Sequence, residues 1–327
     1  MNSDSALHGR AFPGWLLILG ALTAIGPLSI DMYLPAFPSL ERELAATPGS
    51  AELTLAAFFI GMAVGQLFWG PLSDRLGRKP PLYAGLAVFA LASLGCALAE
   101  SATALTLWRV LQALGGSAGM VITRAVVRDR CAAREAARAF SLLILVMGLA
   151  PILAPLLGGW VNAAFGWRAI FYLLTAFALA CLLAIRFGLA ESHATRHEPP
   201  LSLGGVLRDY GGLFASRRFL GYSLSGGLAM AGLFAYIAGS PFVMIELGGI
   251  PAAHFGWAFG ANALGFVIAS QLNARALWVP AVSGSVLAVV AGNGLFSLPL
   301  LLLGLFLYVA SLGFIRAYPV VSQAHYR

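Results

Sequence analysis

The chain has 327 residues, 60% of them apolar and only 10% charged, with a mean hydropathy of +0.85. Soluble domains run nearer about 45–50% apolar and about 25% charged. A disordered chain, an ordinary soluble enzyme and a disulfide-stapled secreted domain are therefore excluded, and an all-α polytopic membrane protein remains. The formal net charge of +7 would suit a nucleic-acid binder, but the positions of the arginines give them another role, and no nucleic-acid partner is expected.

A hydrocarbon core of about 30 Å takes roughly 20 apolar residues per helix. The first segment that meets this test is 13–34. It starts as a signal peptide would, after a polar stretch with Arg10, but it is too long for one and runs past Asp31 and Pro35. The second segment is 52–72, and it leads into the loop Gly70-Pro-Leu-Ser-Asp74-Arg75-Leu-Gly77-Arg78-Lys79. Glycine there suits a tight turn, and Asp74 can accept hydrogen bonds from a neighbouring helix N-terminus or pair with an arginine. Segments three and four are 82–99 and 102–123, the latter carrying Arg109 and Gln112. The fifth, 139–161, holds Gly148, Pro151, Pro155, Gly158 and Gly159, a pattern that kinks a helix and lets a neighbour come close. The sixth is 168–189, and the polar stretch 190–217 reads as a cytoplasmic linker. Segments follow at 219–245, 254–274, 276–295 and 297–315, the ninth being interrupted by Pro280, Gly284, Gly292 and Asn293. The expected organisation is an N-terminal six-helix bundle (1–189), the linker, and a C-terminal bundle of about four helices (218–327).

With the N-terminus in the cytoplasm, 17 of the 20 basic residues fall on the cytoplasmic side. Only Arg42 and Arg168 fall opposite, and Arg109 lies inside the fourth segment. This asymmetry supports both the orientation and the helix count. Asp31 and Arg109 are the charges placed well inside the membrane, where charges are costly and usually pair or line a cavity. Asp31 is 18 residues from Pro13 on an outward segment, and Arg109 is 7 residues from Ala102 on an inward one. At about 1.5 Å per residue both reach the outer half of the bilayer, at a depth that permits an ion pair or a shared polar cavity. A static Asp–Arg pair and a proton-exchanging carboxylate both fit the residues alone.

Other features are less telling. Gly61-xxx-Gly65 and Gly115-xxx-Gly119 read as intramolecular packing faces. Asn262 reads as an interhelical hydrogen-bonder rather than a cavity-lining residue, and Tyr33, Tyr236 and Trp257 as members of interfacial belts rather than contacts for an aromatic drug. Cys96, Cys131 and Cys181 form no CxxC pair and read as inert thiols. The five histidines have no metal spacing, there is no GxxxxGK[ST] phosphate loop, and no catalytic Ser-His-Asp set is found, so neither a metal, a cofactor nor an enzymatic activity is expected.

The loop from Gly70 to Lys79 resembles the loop signature of the major facilitator superfamily. Leu105-x-x-x-Arg109-x-x-Gln112 is similar to the helix 4 signature of its proton-coupled members, with Ala113 in place of one glycine. Gly148-Leu-Ala-Pro151-Ile-Leu-Ala-Pro155-Leu-Leu-Gly158-Gly159 resembles the helix 5 signature of its antiporters, with Ala154 where glycine usually precedes the proline. Ile30-Asp31-Met32-Tyr33-Leu34-Pro35 resembles the drug:proton antiporters, most of all the bicyclomycin and chloramphenicol resistance (Bcr/CflA) subfamily.

The resemblance implies proton-driven export of small hydrophobic drug-like compounds by a monomer in the bacterial inner membrane. In that scheme Asp31 couples proton and substrate, Arg109 and Gln112 support it, the Gly70–Lys79 loop gates the cytoplasmic side, and the proline-rich helix seals or hinges. The family fold has twelve helices. Ten are expected here, six plus four, with helices 11 and 12 missing and the family pattern lost after Gly313-Phe314, as either an internal deletion with a frameshift or early stop, or a genuine ten-helix variant, would leave it. A metabolite exporter of the same superfamily and a non-functional transporter fragment are the alternatives.

Overall fold

The computed structural model describes residues 14–192 and 203–271, which are helical apart from their connections. The helices are α1 (Gly14–Asp31), α2 (Phe37–Glu43), α3 (Ser50–Leu76), α4 (Lys79–Ala97), α5 (Ala102–Arg130), α6 (Ala133–Phe165), α7 (Trp167–Gly188), α8 (Leu203–Ala215), α9 (Arg217–Pro241) and α10 (Ala252–Gln271). A 3-10 turn, Leu34–Ala36, joins α1 to α2, and a π-helical turn, Phe242–Leu247, continues α9. Seven helices among the described residues are long and apolar enough to cross a membrane. The predicted segments 276–295 and 297–315 lie outside the described residues.

The expected segments and the helices differ mainly at their ends. The fourth and fifth were expected over 102–123 and 139–161, but α5 runs on to Arg130 and α6 begins at Ala133. These extensions carry Arg124, Arg128, Arg134 and Arg138, which suit a helix in water but fail any test of continuous apolarity. The first segment breaks at Asp31, because Pro35 and Pro38 supply no backbone N–H. The chain resumes as the 3-10 turn and α2. The stretch 190–217, expected as a linker, contains the 13-residue α8, and Ser216 caps α9 by accepting from the Phe219 N–H at 3.4 Å.

Two compact units divide the chain: 1–150 with 160–199, and 151–159 with 200–327. In the first, α5 is the central post, packed most heavily against α3 and α4 and also against α1, while α7 lies on α4 and α1. Membrane helices gain little from burying apolar surface against one another, so close backbone approach matters more. Gly61 and Gly65 of α3 face Val110, Leu114 and Ser117 of α5, and Gly85 of α4 faces Gly115 and Ala118. Trp69 fixes the depth of α3 by donating its indole N–H to the Leu114 carbonyl at 2.6 Å. The outward faces carry Leu53, Ile60, Leu91 and Leu107, each more than 60% exposed, as a surface solvated by lipid requires.

At the end opposite the arginine-rich loops, Glu43 of α2 accepts from the Trp167 indole at 2.7 Å and pairs with Arg168. Glu41 accepts from the Ala51 N–H at 2.9 Å, capping α3. These bonds fasten the α1–α2 turn, and with it the position of Asp31.

Candidate functional site

Asp31 ends α1 and is 3% exposed. Arg109 lies about two turns into α5 from the Ser101 cap and is wholly buried. The structure does not pair them: among the described residues Asp31 has neither an ion-pair nor a hydrogen-bond partner, and Arg109 bonds elsewhere. Its Nη1 donates to Gln112 Oε1 at 2.6 Å. Gln112 Nε2 donates to Ser93 Oγ at 2.8 Å, and Ser93 donates to the Phe89 carbonyl at 2.7 Å. The guanidinium lies over Phe58 at 4.2 Å, Tyr33 at 4.7 Å and Phe171 at 5.8 Å from the ring centroids.

Arg109 Nε and Nη2 have no hydrogen-bond partner among the described residues. These two nitrogens form the edge of a guanidinium that takes a carboxylate through two parallel bonds. An unpaired buried charge costs several kcal/mol, and each desolvated cation–π contact returns about 2 kcal/mol. The three rings are thus the main compensation for Arg109. Sequence reasoning placed Tyr33 in an interfacial belt, whereas it is completely buried. Ser93, Phe58 and Phe171 were not anticipated.

The second cluster gathers at the arginine-rich end. Gly70, Asp74 and Arg75 belong to the last turns of α3, Gly77 turns the chain at φ +84°, and Arg78 and Lys79 begin α4. Arg78, 5% exposed, donates to Asp74 Oδ1 at 2.5 Å, Ser73 Oγ at 3.0 Å and Asp129 Oδ2 at 2.7 Å. Burial lowers the proton affinity of the Arg78 guanidinium, but the bonds to Asp129 and Asp74 outweigh it and hold the group above the usual arginine range. Asp74 thus takes the arginine of its own loop, and the cap on α4 comes from Glu191, just past α7. Its two oxygens accept from the Arg78 and Lys79 N–H groups at 2.9 Å each. A side chain at Gly77 would meet that carboxylate at 3.0 Å, so both the positive φ and the space require glycine. The loop, the end of α5 and the end of α7 are joined through four charged side chains, of which Asp129 and Glu191 were missed because they read as parts of a basic loop and a linker. Glu191→Gln, which keeps one acceptor and loses the charge at a helix N-terminus, is expected to cost about 1 kcal/mol. That corresponds to a melting temperature lower by about 2–4 °C in a thermal scan of the purified protein; an unchanged scan would show the cap to be idle.

The third cluster lies in the second unit. Pro151, Pro155, Gly158 and Gly159 sit within α6, which stays helical through both prolines, and Gly148 lies one turn earlier. A side chain at Gly159 would meet the Ala252 carbonyl at 3.1 Å, and one at Gly256 the Leu156 backbone at 2.7 Å. The stretch 151–159 therefore packs backbone to backbone on α10. Beside it, Asn262 of α10 donates to the Tyr236 hydroxyl of α9 at 2.8 Å, and Tyr236 stacks on Phe259 at 5.5 Å. Tyr236 is buried, so its reading as an interfacial residue is also corrected, while Trp257 is 69% exposed. No group of three metal-ligating side chains occurs among the described residues.

The model of the Major Facilitator Superfamily matches residues 19–325. The chain is 35% identical over 261 residues to a bicyclomycin resistance protein homologue of Haemophilus influenzae, covering 80% of this chain and 66% of that protein. It is 32% identical over 286 residues to a chloramphenicol resistance protein of Pseudomonas aeruginosa, covering 85% and 65%. The chain thus spans just under two thirds of the length of these relatives. Among solved structures, a D-xylose–proton symporter superposes with a TM-score of 0.68 at 16% identity, over 93% of this chain and 80% of that one. With its helices, its loop cluster and its buried arginine in place, the chain belongs to the Major Facilitator Superfamily: it is a multi-pass membrane protein of a transporter family, related to drug resistance proteins, and not an enzyme.

Proposed function

We propose that the chain exports small, mostly apolar drug-like compounds across the bacterial inner membrane in exchange for protons, as a monomer with its N-terminus in the cytoplasm. The observation that carries this reading is Asp31, a carboxyl group buried at the end of α1 with no partner among the described residues. Such a group is free to take up and release a proton as substrate comes and goes, and a charge at that depth is retained for function more often than for packing. Arg109, held by Gln112, is the cation that responds to its charge. The Gly70–Lys79 loop gates the arginine-rich end, and the α6 stretch from Gly148 to Gly159 seals or hinges the passage. The division into an N-terminal bundle (1–189), a linker and a C-terminal bundle (218–327) is part of the same reading.

The relatives' names suggest the probes. In a host without its main efflux pumps, the chain is expected to raise tolerance to chloramphenicol or bicyclomycin over empty vector at matched, blotted expression. A protonophore is expected to remove the protection. Well-expressed protein without protection, or protection that survives collapse of the proton gradient, would count against the reading.

A further inference from the structure

Tyr33 is restrained more tightly than a packing aromatic needs. Its hydroxyl lies 2.8 Å from Thr54 Oγ1. Thr54 donates its single hydroxyl proton to the Ala51 carbonyl at 2.7 Å, so Tyr33 must be the donor in the bond between them. Its ring is wedged against Phe37 at 4.9 Å and Phe171 at 5.4 Å between centroids. The ring cannot leave the Arg109 guanidinium without breaking a buried O–H···O bond to α3.

Tyr33 also follows Asp31 by two residues, across the point where α1 ends. Any movement of that turn that brings the Asp31 carboxylate toward the unbonded edge of Arg109 must carry Tyr33 with it and pull on Thr54. The rings lie against the guanidinium, Gln112 bonds one of its nitrogens, and the Nε and Nη2 edge suited to a carboxylate has no hydrogen-bond partner among the described residues.

We propose that Tyr33 and Thr54 are positioning residues for proton exchange: their strut holds the Tyr33 ring on Arg109 and keeps its carboxylate-binding edge unbonded until the end of α1 moves. The proposal rests on the proton-coupled reading above. It assigns neither residue to the substrate; both act through Arg109 and Asp31.

The test uses the purified full chain in proteoliposomes with labelled chloramphenicol as probe, in two modes. One is transport driven by an imposed pH gradient, the other counterflow of labelled against unlabelled drug without a gradient. Thr54→Val removes the acceptor without changing side-chain size. It is expected to slow gradient-driven transport about tenfold, the scale of one buried hydrogen bond lost, and to leave counterflow near wild type. Thr54→Ser restores the hydroxyl and is expected to restore the driven rate. Tyr33→Phe, which removes the same bond from the other side, must reproduce the slowed driven rate, and the double variant must be no slower than either single one. Equal loss in both modes, failure of the serine variant to rescue, or additive losses in the double variant would overturn the strut while leaving the transport reading intact. A wild-type chain that moves chloramphenicol in neither mode overturns the transport reading and this proposal with it.

Discussion

Asp31→Asn is expected to abolish gradient-driven efflux while leaving the protein inserted, folded and as abundant as wild type. The amide keeps the shape of the carboxylate and removes its ionisation, so the change isolates charge from packing. Two accounts of a buried acid predict different outcomes. If Asp31 were half of a static ion pair, its loss would strand a buried cation and destabilise the fold by about 3–5 kcal/mol. In the structure Arg109 is already held by three rings and Gln112, and Asp31 has no partner among the described residues, so no structural bond is broken. Removing an ionisable group from a buried position is instead neutral or mildly favourable for stability. The measurement is dye or drug efflux from everted vesicles energised to pump protons, alongside a thermal scan of the purified variant. Efflux at the level of vesicles lacking the protein, with an unchanged or higher melting temperature, is the expected result. Unchanged efflux would end the coupling role of Asp31, and a collapsed melting temperature would return it to a structural one.

Much of the first unit was legible in the sequence because its determinants are local. Apolar runs located the membrane-crossing cores, and the glycine spacings at Gly61, Gly65 and Gly115 marked the faces on which α3, α4 and α5 meet. Asp31 and Arg109 stood out because ionisable groups in apolar runs are rare. What the sequence could not carry were the partners. Arg109 is reached by Tyr33, Phe58 and Phe171, which lie on three separate elements, and each alone is an unremarkable aromatic in an apolar run. Tyr33 sits near the end of its run and so resembled an interfacial residue, but the bonds that Glu41 and Glu43 accept from Ala51 and Trp167 fasten the α1–α2 turn, and Tyr33 is buried. Arg78 meets Asp129 across 51 positions and Glu191 across 113. No periodicity links such distances, and an acid among arginines reads as solvated until the fold shows otherwise. The polar extensions of α5 and α6 were missed for a related reason: a test built on lipid solubility stops where the helix leaves the lipid.

The packing of α5 yields the prediction with the largest structural effect. A side chain at Gly115 would put its first carbon 2.5 Å from both the Gly85 carbonyl oxygen and the Phe89 nitrogen of α4. Neither is the end of a flexible side chain. Both are backbone, tied into the helical ladder, so the strain is relieved only by moving α4 and α5 apart. That separation would also disturb the contacts of Ala118 and Phe89, and with them the Ser93 bond that supports Gln112 and Arg109. Overpacking typically costs about 1–3 kcal/mol. Gly115→Val, which adds two methyl groups beyond that first carbon, belongs at or above the top of this range, a large share of a total stability of roughly 5–15 kcal/mol. Gly221→Ala in α9 is the matched control, since nothing among the described residues lies within 4 Å of the added carbon. There the better helix propensity of alanine, worth about 1 kcal/mol, should make the change neutral or stabilising. Size-exclusion profiles and melting curves of the two variants should therefore move in opposite directions, with Gly115→Val losing most of its monodisperse protein. If Gly115→Val instead melted with the wild type, α4 and α5 would not be in backbone contact, and the support for Arg109 would have to be sought elsewhere.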